Sequence, residues 1–293
     1  NGGGNGGGNG GGNGGGIGVG LAGGAAFPFM DPFIDDRDPS EREDFLLLNS
    51  GNFPGDEWSP DLIAASLMPK VLGALDLGKL NMPTQDEEKD TRDVLPDEIL
   101  EMLELRSEEK LTRRTAEIID QSGSFAHYFL TLLSSSARHR TNTAVLVFAS
   151  IQIASMVGMH FKALYQRPRP AQIFPGLFPV IPTPPHASFP SNHATQSYLV
   201  AELVAHAAPA ASKEPLRRYL NALALRIATN REIAGVHYPS DSAIGKQLAS
   251  EIASQIKSTG VLDDLLKNCS EELGDFANTS VAVTAQQIND SYG

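Results

Sequence analysis

Apolar residues along this chain recur mostly at steps of three and four, the pattern of helices that bury one face. Leu95, Ile99, Leu100, Leu103 and Leu105 set the pattern, and Thr112–Asp120 continues it. The same periodicity predicts helices over residues 122–136, 142–166, 192–208, 213–235 and 240–258, with a shorter one near Asp61–Leu75. Pro168, Pro170 and the stretch Pro179 to Pro190 interrupt the series, because proline removes a backbone donor and clashes with the preceding turn. Alternating runs of strand type are absent, so the expected fold is mainly α, a helical bundle. The run Ala144 to Met159 is apolar almost throughout. It is shorter than the ~20 residues that cross a bilayer and is followed at once by His160 and Lys162, so it is expected to be a core helix and not a stable membrane span.

The chain divides by composition. Residues 1–16 are four Asn-Gly-Gly-Gly repeats and glycine remains frequent to Ala26, so 1–26 reads as a low-complexity tail. Glycine loses the most backbone entropy on ordering, and the segment has little apolar surface to offset that loss. It is expected to be flexible, or to support self-association into a homo-oligomer or larger assembly. Residues 27–93, rich in Pro, Asp and Asn, read as a wrapping segment with short helices. Residues 94–262 form the helical domain, and 263–293 a C-terminal extension.

A formal net charge of −12 argues against a nucleic-acid binder, which needs a basic face to neutralise phosphates. The charge is uneven, however. Between His160 and Asp241 eight Lys/Arg face four Asp/Glu, a local +4, while the rest of the chain carries −16. A basic island in an acidic protein suits a small anionic ligand. The single cysteine, Cys269, excludes an intramolecular disulfide.

Three segments concentrate the chemistry. In the first, Lys162 and Arg169 are seven apart, and Pro168 restricts Arg167 to extended backbone, so a helix should end there with both cations converging beyond it. In the second, Ser191 is a good N-cap for the helix that follows, which would aim free backbone N–H groups and a positive dipole end at whatever lies before Ser191 and Asn192; His193 falls in its first turn. In the third, Arg231 closes a helix, Gly235 permits a turn and Pro239 starts the next helix. Asp241 is then four residues after His237, in reach to accept its Nδ1–H and leave Nε2 free to attack.

Taken together these segments resemble the signature of the type-2 phosphatidic acid phosphatase superfamily, which includes the class A acid phosphatases and the vanadium haloperoxidases. The signature is Lys-x6-Arg-Pro, Pro-Ser-Gly-His and Ser-Arg-x5-His-x3-Asp. Here it stands as Lys162…Arg169-Pro170, Pro190-Ser191-Asn192-His193 and Asn230-Arg231…His237…Asp241, with Asn192 in place of glycine and Asn230 in place of serine.

The resemblance implies a helical bundle of the acid phosphatase/vanadium haloperoxidase type and hydrolysis of phosphate monoesters, with an acidic optimum because His193 must be protonated to act as an acid. Lys162, Arg169, Ser191, Asn192 and Arg231 would hold the phosphoryl oxygens. His237 would attack phosphorus, His193 would protonate the leaving alcohol and then activate water, and Asp241 would orient His237. Tyr165, His186 and Tyr238 are candidates for lining the substrate. The partner implied is a small phosphorylated substrate. No metal or other cofactor is required, vanadate entering only if the same cradle serves a haloperoxidase. Tyr165, Arg167 and Ser240 look more like the acid phosphatases, and a structural or filament-forming role on the same fold is the non-enzymatic alternative. The family resemblance also implies a secreted or periplasmic location.

Overall fold

The computed structural model describes residues 57–274, the side chains of Glu108 and Glu109 aside. The glycine-rich tail expected over 1–26, and most of the C-terminal extension, lie outside the described residues. Eleven α-helices follow one another among those described, with no strand: α1 (Pro60–Ala74), α2 (Gln85–Asp90), α3 (Leu95–Leu105), α4 (Glu108–Gly123), α5 (Ala126–Leu132), α6 (Thr141–Tyr165), α7 (Pro170–Ile173), α8 (Asn192–Ala207), α9 (Ala210–Ile233), α10 (Pro239–Thr259) and α11 (Asp263–Leu273). The expected mainly α bundle is the observed fold.

Helix α8 is its axis, packed against α6, α9 and α10. Its Leu199, Val200, Leu203 and Val204 are fully buried, each contributing about 1.5–3 kcal/mol of hydrophobic stabilisation. Two glycines allow close approach at its N-terminus. A Cβ on Gly245 of α10 would sit 2.7 Å from the Ser191 carbonyl oxygen and 2.9 Å from Ala194 Cβ, and one on Gly158 of α6 would meet the Asn192 side chain.

Helix α6 matches the expected 142–166 to within one residue at each end. Its 25 residues extend about 37 Å at 1.5 Å per residue, enough to cross a bilayer, and an 18-residue window has a mean hydropathy of 1.8. Within the fold it serves the core, since 67% of that window is buried. Its first N–H groups are not left to solvent. Glu272 of α11 accepts from Asn142 N, Thr143 N and Thr143 Oγ1 at 2.8–2.9 Å, placing a carboxylate at the positive end of the helix.

The helix expected over 122–136 is shorter because Ser124 is extended (φ −160°, ψ 140°), which ends α4 and delays α5 to Ala126. Helix α2, Gln-Asp-Glu-Glu-Lys-Asp, has no apolar period to betray it; Thr84 holds it by a capping box with Glu87. Helix α11 buries Leu266, Cys269 and Leu273 on one stripe.

Candidate active site

The site assembles where α6, α8, α9 and α10 end or begin. Lys162 lies in the last turn of α6, which stops at Tyr165, with Gln166 in a left-handed conformation (φ 53°). Arg169 follows in extended backbone immediately before α7. Both cations reach the segment that leads into α8. Lys162 Nζ donates to the Ala187 and Ser188 carbonyls at 2.9 and 2.7 Å, and Arg169 Nε to the His186 carbonyl at 3.0 Å. Ser191 caps α8, its hydroxyl accepting from Ala194 N, and its own N–H donates to the Asp241 carbonyl. Gly235, at φ +81°, turns the chain between Arg231 and His237, a conformation that glycine alone adopts at little cost.

His237 is 3% exposed. Its Nδ1–H donates to Asp241 Oδ2 at 2.9 Å, while Nε2 accepts from Arg169 Nη1 at 3.0 Å. The lone pair is therefore on Nε2, facing a cation. His193 is oriented from another direction, its Nε2–H donating to the Gln121 carbonyl of α4 at 3.0 Å, which leaves Nδ1 as the nitrogen for proton transfer. Burial, and next the charge of Arg169 and then Lys162, push His237 well below the usual histidine range. Burial and the charge of Arg231 hold His193 at about 3. Arg169 and Lys162 disfavour the charged form of both imidazoles, and Arg231 that of His193.

Arg231 is held by its Nη2, which donates to the Ile118 carbonyl at 2.9 Å. Its Nε and Nη1 have no hydrogen-bond partner among the described residues although the residue is 1% exposed. Buried donors without an acceptor are costly, and here they belong to the third cation of the set. Asn192 occupies the room created by Gly158, its Nδ2 3.5 Å from the Ser155 carbonyl. This is how the bundle accommodates a side chain where the signature has glycine. Asn230, in place of serine, donates to Glu117 Oε1 and Gln121 Oε1 at 2.9 Å, tying α9 to α4.

A cavity of about 630 Å³ opens beside the cations, lined by Met159, Lys162, Ala163, Gln166, Arg169, Gln172, Pro184, Pro185 and His186 among others. His186 lines it and accepts from Arg169 Nη2 through Nδ1 at 2.9 Å. The two tyrosines do not. Tyr165 packs between Phe161 and Phe189 with its hydroxyl on the Pro83 carbonyl, and Tyr238 is fully buried among Leu95, Ile99, Met102 and Leu177. Both are packing residues because their helix-end positions turn their rings into apolar clusters.

Sequence reasoning passed over the residues that hold Asp241. Besides His237, its Oδ2 accepts from Ser188 Oγ and from Tyr238 N, and its Oδ1 from Arg167 Nη1 at 3.1 Å. Arg167 was legible as a third cation of the first segment. Ser188 carried no signal beyond its nearness to Ser191.

The family model of the PAP2 superfamily matches residues 125–250, the stretch that contains all three signature segments. Two curated relatives, the decaprenylphosphoryl-5-phosphoribose phosphatases of Mycobacterium tuberculosis strains CDC 1551 and H37Rv, are 32% identical over 136 residues, covering 45% of this chain and 70% of theirs. The chain belongs to the PAP2 superfamily. It is a phosphatase of that superfamily, as the signature in the sequence implied. A transmembrane PAP2-type phosphatidylglycerolphosphate phosphatase from Bacillus subtilis is a further likeness among solved structures, with a TM-score of 0.45, 16% identity and coverage of 67% of this chain and 94% of that one. The expected secreted or periplasmic location is corrected by these relatives, whose names carry a decaprenylphosphoryl substrate and so point to a membrane setting.

Proposed function

We propose that this PAP2 phosphatase hydrolyses phosphate monoesters through a phosphohistidine formed on His237. The observation that carries the proposal is the locked tautomer of that residue, with Nδ1–H on Asp241 and the Nε2 lone pair directed at the Arg169 guanidinium. Phosphate oxygens held by Lys162, Arg169, Arg231, Ser191 and the N–H groups at the start of α8 would set phosphorus in front of Nε2. In the first step the Nε2 pair forms the P–N bond, the P–O ester bond breaks, and the leaving alkoxide takes the proton on His193 Nδ1. In the second, water attacks phosphorus, gives a proton to His193 Nδ1, and the P–N bond returns its pair to Nε2. Asp241 balances the positive charge on the His237 ring throughout. Charge neutralisation around the phosphoryl group is the main demand of this chemistry, and in this scheme three side-chain cations meet it without a metal ion.

The cavity accepts a leaving group of sugar size, with Met159, Ala163, Pro184 and Pro185 offering apolar contact and Gln166 and Gln172 polar contact. A phosphorylated sugar on a lipid carrier, the substrate type for which the mycobacterial relatives are named, is therefore the first physiological class to assay after p-nitrophenyl phosphate. Wild-type protein treated with EDTA should turn over and, when quenched with a radiolabelled monoester, carry an acid-labile, alkali-stable label. His237→Ala should lose both the label and at least a thousandfold in kcat, on the order expected when a nucleophile is removed. Full activity in that variant, or halide oxidation after vanadate loading in place of ester hydrolysis, overturns the proposal.

A further inference from the structure

The arginine that binds the carboxylate orienting His237 is itself held from outside the stretch matched by the family model. Arg167 is 1% exposed and each nitrogen of its guanidinium has a hydrogen-bond partner. Nη1 donates to Asp241 Oδ1 and to Ser240 Oγ, at 3.1 and 2.8 Å. Nη2 donates to Thr91 Oγ1 at 2.7 Å, Nε to Glu88 Oε1 at 2.6 Å, and the plane lies 4.1 Å from the centre of the Phe189 ring. Glu88, on α2, is 1% exposed. Thr91, just beyond α2, donates its own proton to the Glu88 carbonyl, so the short polar helix is built around this one guanidinium. The second oxygen of Glu88 accepts from Arg92 Nη2 at 2.7 Å.

We infer that Glu88 is a positioning residue for catalysis, acting on His237 through Arg167 and Asp241. This inference rests on the proposed role of His237 as nucleophile. The physical argument is a charge balance in a buried row. Glu88 and Asp241 are the two carboxylates, Arg167 lies between them, and Arg92 shares Glu88. Neutralising Glu88 leaves Asp241 as the one carboxylate in direct contact with Arg167, Glu98 being reached only through Ser240 Oγ. Asp241 is then drawn toward the guanidinium and offers less negative charge to the His237 ring. Attack by Nε2 places positive charge on that ring, so phosphoenzyme formation should slow. Breakdown of the phosphoenzyme regenerates a neutral imidazole, so it should not slow and can quicken. Loss of packing alone would not separate the two half-reactions in this way.

The test is Glu88→Gln, which keeps shape and removes charge, with Glu88→Asp as the conservative variant and Glu272→Gln as a control that loses a part-buried, hydrogen-bonded carboxylate at the far end of α6. Rapid mixing with p-nitrophenyl phosphate gives the rate of phosphoenzyme formation and its steady-state level, and thermal unfolding gives stability. For Glu88→Gln the formation rate should fall on the order of 10- to 100-fold, the magnitude by which misplacement of a reacting group acts, with KM within a factor of about three because the phosphate-holding cations are untouched. The steady-state phosphoenzyme should also fall, and Glu88→Asp should recover part of the rate. Glu272→Gln should lower the unfolding temperature without changing the formation rate. Unchanged formation in Glu88→Gln, or equal slowing of both half-reactions there and in Glu272→Gln, overturns the inference. If His237→Ala is inactive in the same assays the nucleophile stands regardless, whereas an active His237→Ala removes the underlying reading and not merely the role of Glu88.

Discussion

The proton that leaves with the product has to reach His193 against the pull of its surroundings. Burial and Arg231 hold that imidazole at about 3 in the free site, so above this value it is neutral and carries no proton to give. The required proton can instead arrive on the substrate. A phosphate monoanion loses its second proton near about 6, and on binding among three cations it can pass that proton to His193 while its own charge offsets theirs. His237, also pushed well below the ordinary histidine range, stays neutral and nucleophilic over the same interval. The acidic optimum expected from His193 then persists with a different origin. The alkaline limb of kcat/KM, which reports free enzyme and free substrate, should follow the second pKa of the substrate and move when monoesters of different acidity are compared. A limb fixed at one pH for all of them would return the titration to the enzyme and refute this assignment.

Between elements, the site depends on how closely helix ends approach. Gly245 lets α10 lie against the first turn of α8, and a Cβ there would overlap the Ser191 carbonyl and Ala194 Cβ. Neither is the movable tip of a long side chain, so Gly245→Ala must push the helices apart, at about 1–3 kcal/mol for overpacking. It should lower the unfolding temperature and, by shifting the N-terminus of α8, lower kcat as well. Normal activity alongside reduced stability would mean that the register of α8 and α10 is not what places Ser191. Much of this arrangement could be read from the chain in advance. Ser191 as a cap, Pro239 as the first residue of α10, and Asp241 one turn beyond His237 are local facts, and local patterning predicts them. What escaped are partners distant in sequence. Gln121 orients His193 through a backbone carbonyl, which any residue type would supply. Glu88 sits in the run Asp86-Glu87-Glu88, where nothing local separates the one buried carboxylate from its exposed neighbours. Tyr165 and Tyr238 were drawn toward the substrate by nearness in sequence, and packing took both elsewhere.

Across the whole bundle, groups whose charged forms burial disfavours give stability two opposing dependences on pH. His193 and His237 are buried neutral, with folded values far below 6.5. Their contribution is complete above 6.5 and is lost as pH falls toward 3, where the unfolded chain binds protons that the folded one refuses. Glu232, at the end of α9, behaves in the opposite way. Burial first, and then Glu101, Asp241 and Glu98, raise it to about 7. Its folded form takes up a proton more readily than the unfolded chain, so its contribution is complete below 4.5 and is lost as pH rises through about 7. Replacing it with a neutral isostere should therefore help only where the wild type is charged. Glu232→Gln should raise the unfolding temperature at pH 8, and the gain should disappear by pH 4, where the native side chain is already protonated in both states. Thermal unfolding of the two proteins across this range decides the matter. An equal gain at both ends would mean that the substitution acts through packing, and a loss at pH 8 would mean that the carboxylate has a partner worth more than its burial costs.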